Sequence, residues 1–182
     1  MLKFLREIIK TGDVTTKYPA VPFPVSPNFR GRVEHNPAQC MACAACTTAC
    51  PPNALTMVTD PAAGTRTWMF NYGRCVLCAR CEEVCPTGAI VLSGEFENAV
   101  RRKSDLMCTA EYTLTRCRDC DTPFAPTKEA NYVVALLALA GMSEEELQRR
   151  RVLYETCPEC RRRADMSRLC ATSLVSKLEA AR

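Results

Sequence analysis

Hydrophobic and polar positions separate most cleanly at the start of the chain. In MLKFLREIIK, at about 100° per residue, Met1, Leu2, Phe4, Leu5, Ile8 and Ile9 fall in one sector. Lys3, Arg6, Glu7 and Lys10 fall in the other. The pattern predicts a short amphipathic helix over residues 1–10 with a mostly cationic polar side. Ten residues are marginal as a free helix, so the apolar side calls for a surface. A membrane interface suits it, and so does a protein neighbour. The next segment, YPAVPFPVSP at 18–27, holds four prolines and cannot be helical. It predicts a stiff, extended strap. Ala54–Val58, Thr67–Phe70 and Ala89–Leu92 are short apolar pieces that read as strands. Glu95–Lys103, Lys128–Ala140 and residues 167–180 read as helices. Gly141 is placed to stop the second of these. Ser143 with Glu146 forms a capping box that opens another.

Between these elements lies an internal repeat. Cys40, Cys43, Cys46 and Cys50 recur, each 35 residues later, as Cys75, Cys78, Cys81 and Cys85. Pro51 recurs as Pro86, Ala54 as Ala89 and Leu55 as Ile90. One small unit has been duplicated and packed on its copy. The motif Cys-x2-Cys-x2-Cys-x3-Cys-Pro is the ferredoxin run for two 4Fe–4S clusters, in which the fourth cysteine of each run serves the other cluster. The expected ligands are therefore Cys40, Cys43, Cys46 and Cys85 for cluster 1, and Cys75, Cys78, Cys81 and Cys50 for cluster 2. Zinc is the alternative occupant, but zinc sites rarely use this triplet spacing followed by proline. Ala42, Ala44, Ala45 and Ala49 are small enough to let backbone amides approach the sulfurs, and such amides tune a cluster's potential.

Composition narrows the class. Fourteen cysteines in 182 residues would suit a disulfide scaffold in a secreted chain. Here the cysteines cluster at metal spacing, and charges interrupt the only apolar N-terminal stretch, so no signal peptide is expected. This points to a reducing compartment. The longest apolar run, Tyr132–Ala140, is too short to span a bilayer. The net charge of +4 is mild, and Arg149–Arg151 and Arg161–Arg163 read as solvated helix faces rather than a nucleic-acid patch. No catalytic triad, phosphate loop or nucleotide fingerprint is present. No nucleic acid and no small-molecule substrate is expected, and the chain is expected to turn nothing over by itself.

A second cysteine set lies further on. Cys117-Arg-Asp-Cys120 and Cys157-Pro-Glu-Cys160 supply four thiolates suited to one tetrahedral ion, zinc or a single iron. Zinc is favoured, because a redox-silent clip would suffice to close the intervening helical stretch. Cys108 and Cys170 are expected to be buried free thiols, and His35, the only histidine, is given no role.

The expected fold is α+β. Residues 1–32 form an N-terminal amphipathic helix and proline-rich strap. Residues 33–93 form a two-cluster ferredoxin-like domain, and residues 94–182 a mostly helical extension clipped by the four-cysteine metal site.

Taken together, these residues resemble the iron–sulfur subunit of formate hydrogenlyase and related membrane-bound group 4 nickel–iron hydrogenases, the hydrogenase-4 component H family. The resemblance rests on Ile8–Gly12, the proline segment, Asn28–Gly31, both cluster runs and Glu155–Cys160. Over residues 1–100 the chain is also similar to the two-cluster ferredoxin-like subunit of respiratory complex I. The resemblance implies a peripheral subunit on the cytoplasmic side of the cell membrane. It would relay electrons between an electron-input, formate dehydrogenase-side iron–sulfur subunit and the hydrogenase small subunit. A free diffusible ferredoxin, a subunit of a complex I-type quinone oxidoreductase, and a cysteine-rich zinc scaffold or nucleic-acid-binding protein are the competing functions. The N-terminal helix gives the first test. Leu5→Glu with Ile8→Glu is expected to move the chain from membrane to soluble fraction, and unchanged membrane retention would show that the helix is not a necessary anchor.

Overall fold

The repeat is written into the backbone. In the computed structural model, which describes residues 2–172, the same left-handed conformations recur at the same offset. Ala42 and Leu77 have φ of 61° and 53°, Ala44 and Ala79 of 65° and 67°, and Asn53 and Gly88 of 51° and 63°. Five of these six residues carry a Cβ, and left-handed backbone costs such residues roughly 1–2 kcal/mol each. Short helices start directly after the second pair: α2 (Ala45–Ala49) and α3 (Arg80–Glu83). These are the cysteine-bearing turns.

Strands close around the two turns. Before them comes α1 (Leu2–Thr11), then β1 (Val33–His35). After α2 run β2 (Leu55–Asp60) and β3 (Thr65–Asn71), an antiparallel hairpin. β4 (Ile90–Leu92) follows α3 and pairs antiparallel with β1, Val33 opposite Leu92. Val33, Leu55, Trp68, Phe70 and Ile90 from these strands form the buried core with Ala42, Ala54 and Cys46.

The sheet does not stop at the end of the repeat. β5 (Met107–Arg116) pairs along the whole of β3, and β6 (Pro123–Pro126) adds a fourth strand, in the order β2-β3-β5-β6. On β5, Tyr112 and Leu114 are buried and Cys108 and Ala110 half-buried, while Thr109, Glu111 and Thr113 point outward. That strict alternation is the signature of a half-buried strand. The extension therefore begins as sheet before turning helical with α4 (Thr127–Leu139), α5 (Glu144–Glu155) and α6 (Pro158–Thr172).

Several sequence expectations hold. Gly141 ends α4 in the left-handed region at φ 87°, and Ser143 caps α5 by accepting from the Glu146 amide. The helix expected at Glu95–Lys103 is absent. The backbone bonds across the chain at its start: Gly31 N–H donates to Ser93 C=O at 3.0 Å just before the segment, and Arg32 N–H donates to Glu95 C=O, its first residue. Phe96 is meanwhile surrounded by Tyr18, Phe23 and Phe29, at ring-centroid distances of 5.6, 6.0 and 6.5 Å. Only a short 3-10 turn forms nearby, at Lys103–Leu106. The last helix starts earlier than expected, at Pro158, and the expected stretch 173–180 lies outside the described residues.

No residue of α1 is buried. Leu2, Phe4, Leu5, Ile8 and Ile9 are all exposed, and Gly12 ends the helix at φ 58°. No helix among the described residues is long and apolar enough to cross a membrane. The close approach of residues 31–32 to 93–95 generates a prediction. Gly31 is buried, and a Cβ there would collide with the backbone oxygens of Ser93 and Glu95. Gly31→Ala is expected to destabilise the fold by about 1–3 kcal/mol, read as a lowered Tm in thermal unfolding; an unchanged Tm would show that this crossing is loose.

Candidate metal centres

Each cysteine turn aims its main chain at its own sulfurs. The Ala42 amide donates to Cys40 Sγ and the Leu77 amide to Cys75 Sγ, both at 3.4 Å. The Ala54 amide donates to Cys50 Sγ and the Ala89 amide to Cys85 Sγ, both at 3.2 Å. Left-handed residues accompany these bonds: Ala42 and Leu77 donate their own amides, and Asn53 and Gly88 directly precede the donating amides of Ala54 and Ala89. Strain of this kind persists only where the surroundings over-determine it.

Two cavities lie over these turns. One is lined by Cys40, Cys43, Cys46 and Cys85, the other by Cys75, Cys78, Cys81 and Cys50. In both, the fourth cysteine of one run faces the first three of the other. Arginines sit on the turns from outside: Arg66 donates to Ala42 C=O at 3.0 Å, and Arg30 to Cys78 C=O at 3.4 Å.

The bare thiols are poorly set to ionise. Burial pushes Cys46 and Cys81 up to about 11 and raises Cys75 as well. Cys85 differs: burial raises it too, but the Thr87 hydroxyl and the amides of Thr87, Ala89 and Ile90 outweigh that and leave it lowered. Binding iron would supply the positive charge that deprotonates such thiols outright. A further observation fits a sulfur-rich group. Trp68 Nε1 is fully buried with no hydrogen-bond partner within the protein, beside Cys46, whose thiolate it favours. The donor set, the amides and this orphaned N–H together suit 4Fe–4S clusters.

The second cysteine set also converges. The sulfurs of Cys117, Cys120, Cys157 and Cys160 lie within 4.8 Å of one another. Cys117 and Cys120 form a tight knuckle leaving β5, closed by the Asp121 amide donating to Cys117 C=O at 2.8 Å. Cys157 and Cys160 sit at the junction of α5 and α6. Pro158 there occupies the first helical position, where its missing N–H costs nothing. The two knuckles are tied by Arg118 N–H donating to Glu155 C=O at 3.0 Å, and by the Cys157 amide donating to Cys117 Sγ at 3.3 Å. That amide bond brings Cys117 down to about 6, while bonds to the Cys120 and Cys157 sulfurs hold Cys160 up at about 12. Four sulfurs this close resist full ionisation unless a cation sits among them.

Other residues depart from expectation. Cys108 is half-buried against the core, but Cys170 is exposed on α6 rather than buried, because residues 161–170 of that helix face solvent on every side. His35 is not idle. Its ring stacks on Trp68 at 3.9 Å, and its Nε2 lies 3.4 Å from the Tyr112 hydroxyl. Burial and nearby Lys128 lower its pKa. Trp68 and Tyr112 were not singled out by the sequence. Their available signals were the lone tryptophan in a predicted strand and the alternation of β5.

Residues 39–89 match the 4Fe-4S dicluster domain family. Fold and site together define an iron–sulfur electron-transfer protein with a ferredoxin-type core. The chain is 54% identical over 162 residues to formate hydrogenlyase subunit 6 of Escherichia coli (strain K12), covering 89% of each chain. It belongs to the formate hydrogenlyase subunit 6 family, the hydrogenase-4 component H family. It is also similar, at 29% identity and a TM-score of 0.43, to a chain of the membrane-bound sulfane sulfur reductase, an archaeal respiratory membrane complex. That match covers 57% of this chain and 56% of the other.

The four-sulfur site generates a prediction. Cys157→Ala removes a ligand and the sulfur that accepts from the Cys160 amide, so the amount of folded, assembled subunit is expected to fall. Zinc binding at such sites is worth on the order of ten kcal/mol of folding free energy. Elemental analysis of the wild-type chain checks the metal: one zinc per chain is expected. A redox-active iron whose loss stops electron transfer without affecting assembly would overturn the structural role.

Proposed function

We propose that this chain relays electrons between a formate dehydrogenase-side iron–sulfur subunit and the small subunit of a membrane-bound group 4 nickel–iron hydrogenase. Cys40, Cys43, Cys46 and Cys85 hold one 4Fe–4S cluster, and Cys75, Cys78, Cys81 and Cys50 hold the other. The observation that carries this reading is the crossed lining of the two cavities, with Cys85 among the first run and Cys50 among the second. When bound, each cluster takes up and releases one electron without changing bonds in the protein.

The chain's own residues do the rest. Ala42, Leu77, Ala54 and Ala89 offer amides to the sulfurs. Val33, Leu55, Phe70 and Ile90 keep water from the core side of both cavities. Residues 33–93 form the relay, and residues 94–182 form an extension whose Cys117/Cys120/Cys157/Cys160 site binds a structural zinc off the electron path. Residues 1–32 fasten the subunit to the assembly on the cytoplasmic face of the membrane. The exposed apolar side of α1 and the family's membership of a hydrogenlyase support that placement.

Cys50→Ser in the intact complex tests the crossed ligation. The cluster on Cys75, Cys78 and Cys81 is expected to be lost or altered by EPR, iron and sulfide to fall toward roughly half of what two 4Fe–4S clusters require, and formate-driven hydrogen evolution to stop. Loss of the cluster on Cys40, Cys43 and Cys46 instead would refute the assignment.

A further inference from the structure

The two cavities are alike in main chain and unlike in side chains. Around Cys75, Cys78, Cys81 and Cys50 every other lining residue is apolar, Val33, Leu55, Phe70 and Val76 among them. No side-chain N–H or O–H among those lining residues points at a sulfur. Around Cys40, Cys43, Cys46 and Cys85 there are polar groups. Thr87 Oγ1 lies 3.7 Å from Cys85 Sγ. In one buried cluster with Cys46 lies Trp68, fully buried, with an indole N–H that has no hydrogen-bond partner among the protein's atoms.

Trp68 has little freedom to turn away. It sits in the middle of β3, opposite Met57 on one side and Ala110 on the other. The His35 ring stacks on it at 3.9 Å with 19° between the planes, and Phe70 lies 6.0 Å away. The duplication supplies no counterpart. The residue at the same offset of 35 is Lys103, which is exposed. A buried N–H left without an acceptor is unfavourable, and a sulfur carrying negative charge is the acceptor the position offers.

Resting on the ligation proposed above, we propose that Trp68 is a positioning residue whose indole N–H donates to sulfur at Cys46. It thereby holds the cluster on Cys40, Cys43, Cys46 and Cys85 at a higher potential than the other. One-electron reduction adds negative charge to the cluster and its thiolates. A fixed N–H dipole stabilises the reduced form more than the oxidised one. Electrons entering the chain then rest on this cluster, and the apolar cavity holds the lower-potential partner. The asymmetry comes from side chains laid over a symmetric scaffold, and Trp68 is the fully buried one among them.

The test uses the full chain with its clusters, titrated with dithionite and followed by EPR. The Cys50→Ser variant identifies which signal belongs to which cluster. Trp68→Phe keeps an aromatic of similar shape and removes the N–H. It is expected to lower the reduction equilibrium constant of the Cys46-side cluster on the order of tenfold, about 59 mV for a one-electron couple, and to leave the other cluster unmoved. The chain has a single tryptophan, so an indole-15N label gives a second readout that needs no variant. Pulsed EPR of the wild-type chain should then show a 15N coupling to one reduced cluster. Full cluster loading with unmoved potentials, equal shifts in both clusters, or no 15N coupling would overturn the role of Trp68 alone. Iron and sulfide well below the content of two clusters in the wild-type chain would overturn the ligation and this proposal together.

Discussion

Hydrogen bonds from main-chain amides to cysteine sulfur set the geometry around which the rest of the chain is arranged. Left-handed backbone accompanies them at Ala42, Ala44, Leu77 and Ala79, none of them glycine. Alanine is the smallest side chain that still restricts the unfolded chain, and it suits three of these four places. Ala42 is fully buried and Ala79 nearly so, so a larger residue would have to displace the core as well as tolerate its φ. The strain is met by contacts that hold the turns from both sides. The core strands press from within, and Arg66 and Arg30 bond to the Ala42 and Cys78 carbonyls from without.

The extension is fastened to this core at two levels. β5 lies along the whole of β3 and places Tyr112 against the first cysteine turn. Lys128, at the start of α4, donates to Pro37 and Ala38 carbonyls at 2.7 and 3.0 Å and stands over the Tyr112 ring at 5.5 Å. A residue beyond the sheet thus fixes the loop that leads into Cys40. The knuckles of the four-sulfur site lie at the far end of β5, where α5 and α6 would otherwise join the sheet through few contacts. Closing the extension there stiffens β5, and β5 in turn backs the β3 strand that carries Trp68.

The N-terminal segment follows a different rule. Residues 31–32 and 93–95 cross at backbone level, and the rings of Tyr18, Phe23 and Phe29 gather on Phe96. Beyond that crossing the chain turns outward, and α1 presents its apolar residues to solvent. Five large apolar side chains on one short helix are too many to leave in water for no gain. In an assembly with a membrane or another subunit they have somewhere to go.

How much of this was legible depends on the range of the interaction involved. The cysteine runs, the duplication, the capped start of α5 and the glycine stop of α4 are local patterns, and the sequence alone determined them. A spacing or a cap is decided within a few residues. Gathering of the four-sulfur site was legible for the same reason, since two knuckles announce themselves. The helix expected at Glu95–Lys103 failed where its first carbonyl is bonded to Arg32, more than sixty positions away, and Phe96 is held among rings from residues 18–29. Strand β5 carried its alternation in plain view, but its pairing with β3 and its bearing on the cluster side were decided only by the folded sheet. His35 and Trp68 meet because β1 and β3 bring positions 35 and 68 face to face. No local pattern encodes that meeting. The sequence determined which sulfurs are spaced to hold metal; the tertiary structure alone decided which side chains stand behind them, because such contacts join segments whose separation along the chain has no bearing on their distance in space.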